Sequence, residues 1–209
     1  MSEAEIAAEL ALYGGLADAV RRLCDASVRT TVDETTVTEV TAVLNAAADR
    51  LEADRLDGSF GVSITTSGHG RTYGNAVVGV RNPVAVPLTI TQHAEGRATA
   101  EFRLGATYEG PPGLVHGGVT ALILDQLCGE AAAAGGAPGM TGTLNIRYRK
   151  GTPLGDCSAE AWIDRREGVK TFVKGVMRDN EGQDTVEAEG IFILPRWARE
   201  ANASPKSFE

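Results

Sequence analysis

The 209-residue sequence predicts an α+β protein in which one long central helix is wrapped by a curled antiparallel sheet, with a helical extension in front. Three observations carry this. Beyond about residue 84, short alternating apolar segments are separated by tight turn signals. A single run, Val119–Ala134, is apolar almost all round. Residues 1–60 instead repeat their apolar residues at helical spacing.

Composition bounds the rest. A 43% hydrophobic, 23% charged chain buries a sizeable core and is not disordered. No apolar run approaches the roughly 20 residues of a membrane span, and the start, Met1-Ser2-Glu3-Ala4-Glu5, is acidic where a targeting peptide is basic. A cytoplasmic protein without membrane contact is expected. Cys24, Cys128 and Cys157 are odd in number and far apart, which suits neither a disulfide framework nor a metal site. They read as reduced structural residues, with no metal.

Charge is uneven. Residues 1–60 hold 5 Arg and 12 Asp+Glu, net −7, whereas residues 61–209 are nearly balanced at net −1. Phosphate contacts need clustered cations, so no nucleic-acid partner is expected.

Taken in order, Leu16, Val20, Leu23 and Ser27, then Val40, Val43, Leu44, Ala47 and Leu51, predict amphipathic helices near 16–30 and 35–56. Asp33 supplies an N-cap for the second. This acidic front, 1–60, is followed by a Gly- and Ser-rich connection at 61–74. Its apolar stripes predict packing on the following domain or on a second subunit. Val84–Gln92 and Arg97–Leu104 form a strand pair about Glu95-Gly96. The rigid Glu109-Gly110-Pro111-Pro112-Gly113 then leads through His116-Gly117-Gly118 into the apolar helix, which should be buried on most sides. Four strands follow, Thr141–Lys150, Asp156–Arg165, Val169–Arg178 and Thr185–Leu194, with turns at Glu167-Gly168 and Asn180-Glu181-Gly182. Short connections make neighbouring strands antiparallel.

The ordered set Tyr108-Glu109-Gly110-Pro111-Pro112-Gly113-Leu114-Val115-His116-Gly117-Gly118, then Asp125, then Thr141-Gly142-Thr143-Leu144-Asn145-Ile146-Arg147-Tyr148, resembles the hotdog-fold acyl-CoA thioesterases of the phenylacetate-degradation (PaaI-like) and thioesterase-superfamily-member branch. The resemblance covers residues 75–195, leaving 196–209 as a tail. It implies a hotdog fold, hydrolysis of an acyl-CoA thioester with coenzyme A as part of the substrate rather than a cofactor, and active sites at the interface of a homodimer or a dimer of dimers.

The residues support this chemistry independently. At a helix start near His116, the first N–H groups, those of Gly117 and Gly118 included, lack intrahelical acceptors and sit at the positive end of the helix dipole. Two glycines let a carbonyl approach, so the site can stabilise an oxyanion; Gly-Gly also allows close helix packing. His116 either donates to the thioester oxygen or caps the helix. Asp125 follows Leu122, Ile123 and Leu124 and precedes Leu127 and Cys128. A carboxylate among apolar neighbours is costly unless paired or useful, and desolvation favours basicity. The resemblance makes it general base or nucleophile; otherwise it marks a polar side of the helix, with Gln126 and Glu130.

Nine residues separate His116 from Asp125, about 13.5 Å and about 180° around a helix. Both cannot reach one thioester carbon. If both act, they come from different chains, with two such helices antiparallel about a two-fold axis. Thr141 and Thr143, two apart on a strand, are expected to share a face. The resemblance gives a hydroxyl at one or other position the task of assisting the water or the carboxylate. Some members carry Asn six residues before the motif His; here that residue is Gly110. Arg147, Arg149 and Lys150 are candidates for holding coenzyme A phosphates, or a solvated edge. His69 and His93 read as structural or surface.

Three rivals remain. A repressor with a DNA-binding helical front is opposed by the −7 charge; a hotdog hydratase needs an Asp and a His five apart, and no such pair occurs; a non-catalytic acyl-CoA carrier shares every feature above.

Overall fold

A computed structural model describes residues 3–61, 63–64 and 70–196 and divides the chain into two units, Met1–Ala85 and Val86–Glu209. His69 and the tail from residue 197 lie outside the described residues.

In the first unit, α1 (Glu3–Arg29) starts earlier than its apolar spacing suggests, and α2 (Glu34–Glu52) starts where Asp33 accepts a hydrogen bond from the Thr36 N–H at 2.8 Å. A two-residue pair, β1 (Ser63–Ile64) with β2 (Gly70–Arg71), follows. Arg81 ties α1 to the segments that follow it within this unit. The Arg81 guanidinium lies 3.4 Å over the Tyr13 ring and 5.0 Å from the Phe60 ring, with Glu9 at 3.7 Å. Phe60 stacks on Tyr73 at 5.8 Å, and Arg21 donates to the Asn82 carbonyl. Residues 73–82, placed with the following domain on sequence grounds from residue 75, thus make their contacts with α1. Helix α2 buries none of its side chains.

The second unit contains β3 (Leu88–His93), β4 (Arg97–Leu104), a 3-10 turn (Ala106–Tyr108), α3 (Gly117–Ala134), β5 (Met140–Tyr148), β6 (Gly155–Glu167), β7 (Lys170–Arg178) and β8 (Asp184–Ile193). β3 begins four residues later than expected because Pro87 has no N–H for a ladder. All six strands form one antiparallel sheet in the order β3-β4-β6-β7-β8-β5.

β5 is therefore not beside β6, its neighbour in sequence. The Arg149–Leu154 connection carries the chain past two strands, and β5 becomes an edge paired only with β8. Both edges reach the helix: Gln92 of β3 hydrogen-bonds Glu130, and Thr141 of β5 hydrogen-bonds Asp125. The sheet is thus wrapped around α3. Thr120, Ile123, Leu124, Leu127, Cys128, Ala131 and Ala132 of α3 are buried against it, a stripe at three- and four-residue spacing. The opposite stripe, Gly118, Leu122, Asp125, Gly129 and Ala133, is not closed over. Leu122 is 39% exposed, so an apolar helix expected to be buried on most sides is buried on one in the single chain.

Candidate functional site

The start of α3 is fixed by the loop before it. Leu114 N–H donates to the Pro111 carbonyl, and Gly113 occupies the turn's third position with φ +74°, a type II turn that Pro112 and glycine favour. Val115 N–H donates to the Thr152 carbonyl and His116 N–H to the Tyr108 carbonyl, so both flanks of the loop are tied down. Gly110 packs against this frame: a Cβ there falls 2.8 Å from His116 Cα. An Asn at this position has no room, which is the physical content of the departure noted above.

His116 is the N-cap of α3. Its Nδ1 accepts the Gly118 N–H at 3.0 Å, so the neutral ring carries its proton on Nε2, which is left as a donor at the exposed helix start. The Gly118 amide is thereby engaged within the chain. Gly117 N–H has no acceptor among the described residues and points from the first turn of the helix.

Tyr148, at the far end of β5, lies across this turn. Its hydroxyl donates to the Gly117 carbonyl at 3.0 Å, and its ring occupies the space 3.2 Å from where a Gly117 side chain would begin. Sequence reasoning missed this contact; the two residues are 31 apart, and only the close approach demanded by a glycine hints at a neighbour.

At mid-helix, Asp125 is half-buried on the open stripe rather than enclosed by its apolar sequence neighbours, which point into the core on the other side. The Thr141 hydroxyl donates to Asp125 Oδ1 at 2.8 Å, and Oδ2 has no hydrogen-bond partner among the described residues. Thr143 does not join it. Thr141 pairs with Phe192 and Thr143 with Ile191, so a bulge at Gly142 places the two threonines opposite consecutive residues of β8 and therefore on opposite faces. The expectation of a shared face is corrected by that one extra residue: Thr141 faces the helix with Phe192, and Thr143 faces outward.

The basic candidates are mostly committed. Arg149 makes a two-pronged pair with Glu187 at 2.8 and 2.7 Å, and Lys150 reaches the buried Asp179 at 2.7 Å. The Lys150 ammonium, with the Gln183 and Glu181 amides behind it, holds the Asp179 carboxyl below its ordinary value. Arg149 and Lys150 are thus engaged with carboxylates of the same chain. Arg147 has no ion pair among the described residues. His93 meets the Thr99 hydroxyl at 3.1 Å and is structural, as its sequence context suggests.

Cysteine chemistry is disfavoured next to Asp125. Burial, and secondly the Asp125 charge, push the Cys128 thiol up to about 12; burial first, then Asp156, pushes Cys157 up to about 11. Both stay protonated and unreactive at neutral pH. Cys24 is free and exposed, not structural. Among the described residues no cluster of His, Cys, Asp and Glu suits a metal, and no helix is long and apolar enough to cross a membrane.

Known proteins resemble the chain over the region that carries these residues. The thioesterase superfamily model matches residues 112–186. Acyl-coenzyme A thioesterase THEM4 of Xenopus laevis is 34% identical over 105 residues, covering 48% of this chain and 46% of its own length. THEM4 of Mus musculus is 36% identical over 101 residues, covering 47% and 44%. The chain spans about half the length of these curated relatives. A crystal structure of a thioesterase superfamily protein superposes with a TM-score of 0.78 at 34% identity, covering 87% of this chain and 90% of that one. A match over nearly the whole of both chains places this protein in the thioesterase superfamily, with its hotdog fold.

Proposed function

We propose that the protein hydrolyses acyl-CoA thioesters at two equivalent sites, each shared between the subunits of a homodimer. One observation carries the reading. Within a chain, Gly117 with Tyr148 and Asp125 with Thr141 lie at different places along both α3 and β5, about 12 Å apart on the helix axis.

A two-fold pairing of β5 edges brings them together. β5 is an unpaired edge on which Met140 and Tyr148 are 66% and 55% exposed, and such an edge favours a partner strand. Antiparallel pairing centred on Asn145, with the bulge at Gly142 taking up one residue, sets Thr141 of one chain opposite the second chain's copy of Tyr148, hence Asp125 beside the other chain's Gly117 amide. The same contact covers the open stripe of α3.

In that arrangement Asp125 Oδ2 removes a proton from water while the water oxygen bonds to the thioester carbon. The Thr141 hydroxyl holds Oδ1 and so fixes the carboxylate. The carbonyl oxygen, negative in the intermediate, is met by the Gly117 N–H and the His116 Nε2 proton. The C–S bond then breaks, and coenzyme A leaves as a thiolate that takes up a proton. Arg147, the one basic candidate without a fixed carboxylate, is available to its phosphates.

The test is hydrolysis of an acyl-CoA series of rising chain length by the wild-type protein and Asp125→Asn. The expected result is turnover by the wild type, with kcat about 10²–10⁴-fold lower in the variant. Wild-type binding without turnover would favour a carrier, and an Asp125→Asn enzyme at full rate would remove Asp125 from the mechanism.

A further inference from the structure

Beside Asp125 a groove of about 490 Å³ runs along the open stripe of α3, next to the β5 edge of the sheet. Its walls are small or apolar, with Gly129, Ala133, Pro138, Met140 and Phe192 among them. Across from Asp125 it holds one more ionisable group, Glu130. That carboxylate is fixed from two sides: Gln92 Nε2 of the β3 edge donates to Oε2 at 2.5 Å, and Gln126 Nε2 donates to Oε1 at 2.7 Å. Asp125 is bonded to β5 and Glu130 to β3, so each sheet edge holds one carboxylate over the same groove.

The charge of the groove gives a bound thioester its direction. Among the chain's own described residues no Lys or Arg lines it, and Arg166 is engaged with the Gly135 carbonyl at the end of α3. Two carboxylates with no cation repel the phosphates of coenzyme A, so the nucleotide leaves Asp125 the other way and the acyl group lies toward Glu130. There an unsubstituted alkyl chain strips water from a carboxylate and returns nothing for it. A carboxylate oxygen that accepts one amide proton still has a lone pair for another donor.

Resting on the hydrolase reading above, we infer that Glu130, held by Gln92 and Gln126, selects acyl groups that carry a hydroxyl at their far end. The hydroxyl donates to the Glu130 carboxylate about 7.5 Å along the helix axis from Asp125, five residues on. A site that holds a hydrogen-bond partner in fixed position rejects the analogue that lacks it more strongly than a greasy pocket rejects a missing methylene.

The test uses a length-matched pair, hexanoyl-CoA and 6-hydroxyhexanoyl-CoA, with wild type, Glu130→Gln and Glu130→Leu. Wild type is expected to prefer the hydroxylated substrate in kcat/KM by about 10-fold or more, the worth of one hydrogen bond to a charged group. Glu130→Gln, which keeps an acceptor of the same size, retains part of that preference; Glu130→Leu loses or inverts it. Equal kcat/KM for the pair in wild type, or a preference unchanged in Glu130→Leu, overturns the inference while leaving hydrolysis intact. Calorimetry with the non-hydrolysable thioether analogues of the same pair separates the two claims. Tighter binding of the hydroxylated analogue with no turnover of either thioester sustains the role of Glu130 and overturns the hydrolase reading.

Discussion

At its N-terminus α3 is held on every side: His116 caps it, the Pro111–Leu114 turn feeds it, and Tyr148 is bonded to the carbonyl of its first residue. Eight residues later the same helix is open. Asp125 there has one hydroxyl partner and faces a groove. Under the proposed mechanism the contrast suits two different tasks. An oxyanion donor works by being rigid before charge develops, since a preorganised dipole costs nothing to reorient. A base must instead stay accessible to water and substrate, and its surroundings are completed by another surface.

At the rigid end, removing the donor should have the largest effect. Gly117→Pro removes the N–H and little else: proline suits the first helical position, and His116 already has the extended backbone, φ −61° and ψ 130°, that precedes proline. Gly117→Ala introduces the same Cβ against the Tyr148 ring but keeps the N–H. Steady-state kinetics should show kcat down about 10²–10³-fold for the proline variant and far less for alanine. Equal losses would mean that crowding, not the amide, matters.

A smaller effect sharpens how that end is held. Tyr148→Phe keeps the ring over Gly117 and deletes the hydrogen bond to its carbonyl, a loss of about 0.5–1.5 kcal/mol, or about two- to tenfold. We expect it in kcat with KM little changed, because Tyr148 positions the donor and does not bind the acyl group. A change confined to KM would make Tyr148 a substrate contact instead.

The smallest effect lies behind the same end, in the Lys150–Asp179 tie that anchors the β5–β6 crossover. Lys150 lowers the Asp179 carboxyl, so its contribution to stability is present above the ordinary carboxylate range and is lost as pH falls through the depressed value. Asp179→Asn should therefore lower the urea midpoint at neutral pH, and the gap from wild type should close below about pH 4. A gap independent of pH would show that the amide contacts of Asp179, not its charge, hold the turn.

What was legible in the sequence follows the range of the interactions. β4 was found residue for residue and α3 to within one, because alternation, helical apolar spacing and the His-Gly-Gly start are local. Asp125 and Gly117 were legible as well, by type and spacing. The crossover of β5 past two strands was not, since short connections say nothing about which edge a strand joins. Nor was the bulge at Gly142, a single residue that turns Thr143 away from the site while leaving Thr141 on Asp125. The pairing of Arg149 and Lys150 with carboxylates 38 and 29 residues downstream was equally hidden.

The account stands on the claim that the two ends of α3 meet only across two chains, and subunit mixing tests it. Asp125→Ala and Gly117→Pro proteins, each inactive alone, are unfolded together, refolded and assayed. A mixed dimer pairs the intact Asp125 of one chain with the intact Gly117 of the other at one of its two sites. With random pairing, activity should return to about a quarter of the wild-type value per chain. Mixed dimers that form, as seen by native mass spectrometry of differently tagged chains, yet show no recovered activity would contradict it.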